Sequence, residues 1–104
     1  LEGSPPPIEL IAPVRDAIGD ACDLICDGGI RRGADIVKAL ALGADATMGG
    51  RAHFFGLGAA GERGVELAFG FLHDEFRRAM ALNGLRSVSE ITPDVVSPPQ
   101  NRTD

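Results

Sequence analysis

Apolar residues recur at helical spacing along much of the chain. In residues 8–18 they stand three or four positions apart, which predicts a short amphipathic helix with Pro13 in its first turn or interrupting it. Residues 33–42 repeat this spacing, and Gly43 follows where a helix would need its C-terminal cap. The pattern therefore predicts two helices in the first half of the chain.

The second half is dominated by one longer periodic segment. Residues 62–82 carry an apolar stripe that predicts the longest helix. An apolar turn or short helix at 52–57 and a small, flexible segment at 58–61 are expected before it. Residues 87–91 are expected to form one helical turn, with Ser87 as cap. The predicted stripe consists of Val65, Ala68, Phe69, Leu72, Phe76 and Met80.

Residues 22–26 form a short, mostly apolar run that predicts a strand between the first two helices, and residues 45–48 are expected to form the next strand. Cys22 and Cys26 stand four positions apart in the first run, so both are expected on the same side of the strand. No second Cys/His pair stands at ligand spacing. This favours two small core residues over a metal or redox site.

The alternation of helices and strands predicts parallel βα units. With only two strands, a parallel sheet would leave both edges unpaired and its apolar faces poorly covered. The first residue is Leu1 rather than Met. Both observations favour the interpretation that the chain is a piece of a larger α/β protein.

A glycine-rich turn follows each predicted strand. The first is Asp27-Gly28-Gly29-Ile30-Arg31-Arg32-Gly33, which leads into the helix at 33–42. Glycines let backbone N–H groups approach a ligand, and the helix is expected to add free N–H groups and the positive end of its dipole. The second turn, Gly49-Gly50-Arg51, would lie at the same sheet edge. Together they predict a phosphate site; two plain structural turns are the alternative.

Composition narrows the classes of function. The 104 residues suit one small domain, and a hydrophobic fraction of 44% permits a packed core. The net charge of −5, scattered arginines and lack of Trp and Tyr argue against nucleic-acid binding. No apolar run is long enough to span a bilayer, and the chain opens without a signal peptide. Two cysteines in an otherwise ordinary composition favour a reducing, cytoplasmic compartment.

One long segment resembles a known family. The run from Cys26 to Ala44, reading CDGGIRRGADIVKALALGA, is similar to the most distinctive segment of the FMN-dependent α-hydroxy acid oxidases and dehydrogenases. This family includes glycolate oxidase, lactate oxidase and dehydrogenase, and mandelate dehydrogenase. The similarity continues in register through Gly50-Arg51-Ala52 and Asp74-Glu75-Phe76, and it covers residues 1–96.

The resemblance implies an α/β fold that forms the seventh and eighth βα units of a TIM (βα)₈ barrel. The chain is incomplete by itself, because a whole barrel needs about 250 residues. Residues 1–96 would belong to the barrel and residues 97–104 to a disordered tail. In the family these units hold the phosphate of the FMN cofactor. The implied cofactor-binding residues are Asp27, Gly28, Gly29, Ile30 and Arg31 in the first loop, and Gly50 and Arg51 in the second.

The resemblance implies no catalytic and no metal-binding residue within this chain. The family's histidine base and substrate-binding arginine would precede Leu1, and its substrate-contacting tyrosines have no counterpart here. Gly49 replaces a branched apolar residue and Ala52 replaces the commoner proline. His53 is expected to be a partly buried packing residue, with a substrate or flavin contact as the alternative. His73 is expected at the surface.

The predicted function is therefore the FMN-phosphate-binding C-terminal part of an oxidoreductase that converts an L-2-hydroxy acid to a 2-oxo acid. Its expected partners are the rest of the barrel, a small 2-hydroxy acid and, in the full enzyme, further copies of itself. An upstream segment that attaches to a membrane is the alternative to a purely cytoplasmic location. The alternative functions are a non-catalytic remnant and part of another phosphate-binding barrel, such as the inosine monophosphate dehydrogenase or isopentenyl diphosphate isomerase type.

Overall fold

The computed structural model describes residues 3–97. Leu1 and Glu2 lie outside these residues, as does most of the predicted tail. Three α-helices and two strands alternate along the described chain, and two short 3₁₀ turns follow them. In chain order they are α1 (Pro7–Ile18), β1 (Ile25–Asp27), α2 (Gly33–Leu42), β2 (Ala46–Met48), α3 (Arg51–Leu82) and the 3₁₀ turns Val88–Glu90 and Pro93–Val95.

The two strands pair in parallel, as the alternation predicted. Ile25 lies opposite Ala46 and Asp27 lies opposite Met48, so both strands end at the same edge. One apolar face of the sheet is poorly covered, as expected for two strands alone: Ile25 and Met48 are each 54% exposed. The sheet is covered only on the face that carries the buried Cys26.

The first strand begins later than predicted. It starts at Ile25, and Cys22 is exposed in the loop before it. Arg15 explains the difference, because its Nη1 donates to the carbonyl oxygens of Gly19 (2.7 Å) and Cys22 (3.3 Å) and holds this segment as a turn. Cys22 and Cys26 therefore do not share a strand face, and only Cys26 is a core residue.

Helix α2 is the central element of the fold. Ala39 packs with α1 and β1 in one apolar cluster, while Val37 and Ala41 pack with α3 and the C-terminal turns in a second. The helix ends at Gly43, as predicted, where φ is +121° and the N–H bonds back to the carbonyl oxygens of Ala39 and Leu40. Because Ala39 and Ala41 have small side chains, the elements packed on the two sides of α2 can approach its axis closely.

Helix α3 is a pair of helical segments joined at a kink. It begins at Arg51, so the predicted short helix at 52–57 is part of it, and only Ala60 and Gly61 leave the helical conformation. The two segments cross where Gly56 meets Gly64: a β-carbon on Gly64 would lie 1.8 Å from the Gly56 carbonyl oxygen. No helix within residues 3–97 is long and apolar enough to cross a membrane.

Two local expectations on the second half of the chain also changed. Phe69, predicted in the buried stripe of the long helix, is 54% exposed. Ser87 precedes the 3₁₀ turn as predicted, but its side chain makes no capping bond. Its hydroxyl lies 2.9 Å from that of Ser89, and Glu90 accepts the Arg86 backbone N–H instead. The prediction for Pro13 was wrong, because Pro13 is neither in the first turn of α1 nor a break in it: the helix continues through it.

Candidate functional site

The candidate site is a cleft at the sheet edge where β1 and β2 end. Because Asp27 and Met48 are partners in the parallel ladder, the glycine-rich turns that follow them lie side by side. The cleft has a volume of about 260 Å³. It brings together all seven residues predicted to bind a cofactor and adds Gly49; its lining consists of Asp27, Gly28, Gly29, Ile30, Arg31, Gly49, Gly50 and Arg51.

The first turn takes its shape from two glycines. Gly28 has φ of +104° and Gly29 has φ of +78°, a region that side chains disfavour. A β-carbon on Gly28 would also lie 3.1 Å from the ring of Pro7 at the start of α1. Ile30 is buried in the core cluster below the turn, which fixes the turn to the fold. Arg31 follows directly and is exposed at the cleft.

The second turn leads straight into α3. Gly50 precedes the helix, Arg51 is its first residue, and its first turn contains no acidic side chain. The leading N–H groups of a helix have no acceptor within it, and they carry the positive end of the helix dipole. A β-carbon on Gly50 would meet nothing within 4 Å, and the same holds at Gly29. Both glycines therefore border space that a ligand can approach closely.

The prediction that α2 offers free N–H groups to a ligand was wrong for residues 31–33. The Asp35 carboxylate accepts the backbone N–H groups of Arg31 (3.1 Å) and Arg32 (3.0 Å). The Glu75 carboxylate, from α3, accepts the N–H of Gly33 at 3.0 Å. Two internal anions thus occupy the start of α2. An anionic ligand at the cleft could therefore accept hydrogen bonds from the N–H groups of the glycines in the first turn and from those at the start of α3.

The charges at the cleft favour an anion. Within residues 3–97 the ion pairs are Arg15–Asp45, Arg63–Glu66 and Arg86–Glu90. Arg31 and Arg51 therefore have no carboxylate partner in the described chain, and both line the cleft. Asp27 is the one acidic residue of the lining. A phosphate group would meet two guanidinium groups and open backbone amides.

His53 lies beside the cleft as a partly buried packing residue, as predicted. Its ring stacks on Phe69 with 4.6 Å between centroids and 13° between planes. A β-carbon on Gly49 would lie 3.6 Å from the His53 Cε1 atom, which places the ring next to the second turn. Its Nδ1 atom is buried without a hydrogen-bond partner in the described structure. His73 is exposed on α3, as predicted.

The cysteines do not form a site in the described chain. Both are free thiols. Burial, and secondarily the neighbouring charge of Asp27, raises the pKa of the Cys26 thiol and so reduces its thiolate fraction. Among residues 3–97, no group of three or more His, Cys, Asp or Glu side chains is arranged to hold a metal ion.

Residues 1–98 match the family described as FMN-dependent dehydrogenase. The chain is 50% identical over 92 residues to a peroxisomal (S)-2-hydroxy-acid oxidase from Oryza sativa subsp. japonica, covering 88% of this chain and 25% of that protein. It is 40% identical over 103 residues to pre-mycofactocin synthase from Mycolicibacterium smegmatis, covering 99% of this chain and 26% of that protein.

A similar structure was found in the same family. A mandelate oxidase variant with a monooxide FMN adduct superposes with a TM-score of 0.84 at 41% identity, covering 89% of this chain and 30% of that one. The chain thus spans about a quarter of the length of the curated relatives it matches. These similarities do not support the alternative of an inosine monophosphate dehydrogenase or isopentenyl diphosphate isomerase type.

Proposed function

Because the chain belongs to the FMN-dependent dehydrogenase family, we propose that it is the FMN-phosphate-binding part of an oxidoreductase that oxidises an L-2-hydroxy acid to a 2-oxo acid. Two of its relatives are named as a (S)-2-hydroxy-acid oxidase and a mandelate oxidase, and the structure of the second carries an FMN adduct. Bound FMN supplies the acceptor for the two electrons that leave the substrate. The chain supplies the anchor for that cofactor.

The observation that carries this proposal is the cleft at the ends of β1 and β2. Arg31 and Arg51 would bind phosphate oxygens with their guanidinium groups, a geometry that suits this anion. The N–H groups of Gly29 and Gly50, each bordering open space, would complete the cradle. Asp27 would orient the first turn or bind hydroxyl groups of the flavin's ribityl chain, because a carboxylate repels phosphate.

The residues present fit a phosphate group. Two arginines without a carboxylate partner among residues 3–97 outnumber one aspartate in the lining of the cleft, and α3 starts there without an acidic residue in its first turn. The carboxylates of Asp35 and Glu75 at α2 direct the anion away from that helix and towards α3. The phosphate would then sit on the helix that begins at Arg51.

We further propose that the two strand–helix pairs, β1–α2 and β2–α3, are the seventh and eighth units of a TIM barrel. The open sheet face at Ile25 and Met48 supports this placement, because the remaining strands and their side chains would cover it. The rest of the barrel is then the partner of this chain, and the catalytic base and substrate-binding arginine would come from that part. A cytoplasmic location and a homo-oligomeric full enzyme complete the proposal.

A second candidate function keeps the FMN site and changes the substrate. The relative named pre-mycofactocin synthase matches 99% of this chain, a larger share than the 88% matched by the rice oxidase. The two candidates are separated by assaying the intact protein that carries this chain with lactate, glycolate and mandelate. Reduction of the bound flavin by one of these acids supports the first candidate, and no reduction by any of them counts against it.

The binding proposal is tested in a chimera in which this chain replaces the matching segment of the rice oxidase. The chimera should hold FMN and bind it more tightly than riboflavin, which lacks the phosphate. Arg31→Ala and Arg51→Ala should each lower this preference about tenfold or more, since a charged hydrogen bond contributes about 1.5–3 kcal/mol. Arg63→Ala, at an exposed arginine paired with Glu66, is the matched control. A chimera without preference for FMN would contradict the proposal.

A further inference from the structure

Glu75 lies on α3, far along the chain from both turns of the cleft, yet it bonds to the element that begins at the first turn. Its Oε2 atom accepts the Gly33 backbone N–H at 3.0 Å, across 42 positions of sequence and in a partly buried setting. Gly33 is the first residue of α2, and Arg31 stands two positions before it. One side chain of α3 is thus joined to the C-terminal end of the turn that carries a phosphate-binding arginine.

The contact between the two helices is close at this point. A β-carbon on Gly33 would lie 2.1 Å from the Phe76 backbone nitrogen and 2.2 Å from the Glu75 carbonyl carbon. The start of α2 therefore rests directly on the backbone of α3. There is no room for a side chain at Gly33, and its N–H points at the Glu75 carboxylate.

Further contacts hold the turn at both of its ends. The ring of Pro7 lies against Gly28, and the Asp35 carboxylate accepts the N–H groups of Arg31 and Arg32. The backbone of residues 31–33 therefore donates three consecutive N–H groups to two carboxylates. Asp35 belongs to α2 itself, so it moves with the turn. Glu75 ties the turn to the second segment of α3, which joins across the kink to the first segment, where the other cleft arginine, Arg51, lies.

We propose that Glu75 is a positioning residue for the phosphate site: by binding the Gly33 N–H it fixes the first turn against α3 and so sets the spacing between Arg31 and Arg51. This inference rests on the proposed function, since it assigns Glu75 a role in FMN binding. Glu75 does not line the cleft, so its proposed role needs no contact with the phosphate. Its effect passes through the backbone of residues 31–33.

The test uses the rice chimera and compares FMN with riboflavin. Glu75→Ala leaves the partly buried Gly33 N–H without its acceptor and frees the turn. We expect FMN affinity to fall about fivefold or more while riboflavin affinity changes less than twofold. Glu75→Gln keeps an acceptor oxygen and should restore most of the preference for FMN. Glu66→Ala removes an exposed glutamate of the same helix that pairs only with Arg63 in the described chain, and it should change neither affinity.

Glu75→Asp covers the case in which the alanine variant fails to fold. It keeps a carboxylate on α3 but shortens the side chain by one methylene, so we expect a partial loss of the preference for FMN. An unchanged preference in the aspartate variant, or equal losses for FMN and riboflavin, would overturn the positioning role. Tighter FMN binding by Glu75→Ala would also overturn it, because the Gly33 N–H would then bind phosphate itself. If the unsubstituted chimera shows no preference, the proposed function fails first.

Discussion

Gly64 lies backbone to backbone against Gly56 at the crossing of the two segments of α3. A β-carbon on Gly64 would lie 1.8 Å from the Gly56 carbonyl oxygen, and one on Gly56 would lie 2.4 Å from the Gly64 carbonyl oxygen. Since the first segment begins at the cleft, this crossing sets where the second segment, with Glu75, can lie. With the role proposed for Glu75, the phosphate site would depend on a contact well away from it.

We predict that Gly64→Ala destabilises the protein by about 1–3 kcal/mol, because the added methyl group forces the two segments apart. Gly70→Ala is the control. It lies in the same helix with nothing within 4 Å of its β-carbon position, so it should stabilise the fold by about 0.4–1 kcal/mol. Urea unfolding followed by circular dichroism measures both. Equal effects of the two substitutions would contradict the close contact.

Gly50→Ala should separate binding from stability. Its φ of −122° is accessible to alanine and its β-carbon position is open, so the free energy of unfolding should change by less than about 0.5 kcal/mol. The new methyl group would enter the cleft and raise the FMN dissociation constant about tenfold, equivalent to about 1.4 kcal/mol. Fluorescence titration of the chimera measures this, and unchanged affinity would argue against phosphate contact at Gly50.

Asp45 should contribute a pH-dependent part of the stability. The Leu24 backbone N–H, and then the Arg15 guanidinium, lower the pKa of its carboxyl group. A lowered pKa in the folded state means that the stabilisation is present above the ordinary pKa of 3.8 and is lost as the pH falls through the folded value. Asp45→Asn should therefore flatten the acid side of the stability curve.

The measurement for Asp45 is the free energy of unfolding between about pH 2 and 7, the range around a carboxyl titration. Asp74→Asn, at an exposed position of α3, removes the same charge and serves as the control. If both variants keep the acid dependence of the unsubstituted chain, Asp45 does not carry it.

The cysteines should react at different rates. Cys22 is exposed, whereas Cys26 is 4% exposed and has a raised pKa. We expect iodoacetamide at neutral pH to modify Cys22 first, and Cys26 only when the fold opens. Mass spectrometry after partial labelling locates the modified residue. In urea the two thiols should react alike, and preferential labelling of Cys26 without urea would contradict the structure.

The glycine-rich turns and α2 could be predicted from local sequence, because residues close together in the chain determine them. Gly28, Gly29 and Gly43 adopt positive φ where a turn or cap requires it, and residues with apolar spacing built α2 as predicted. The parallel order followed from the alternation of strands and helices. The seven cleft residues come together because parallel strands end at one edge.

The errors arose where a distant residue decides the local structure. Arg15 shapes the loop that contains Cys22, and its partner Asp45 stands 30 positions away, so the run of apolar residues alone placed the strand too early. The Glu75 carboxylate accepts the Gly33 N–H at the start of α2, although the two residues are 42 positions apart. A glutamate on a long amphipathic helix carries no sequence signal for such a bond. The signal that could have indicated it is Gly33 itself, a glycine that opens a helix without needing positive φ.

The position of α2 between two apolar clusters has a consequence for how the chain unfolds. Both clusters are covered by the same ten-residue helix: Ala39 packs in one, and Val37 and Ala41 pack in the other. If either layer moves away from α2, the helix loses packing on one face and the other cluster loses support. The sheet with α1 and the α3 layer should therefore open together, so that the slowest hydrogen exchange in the chain is expected in the amides of α2.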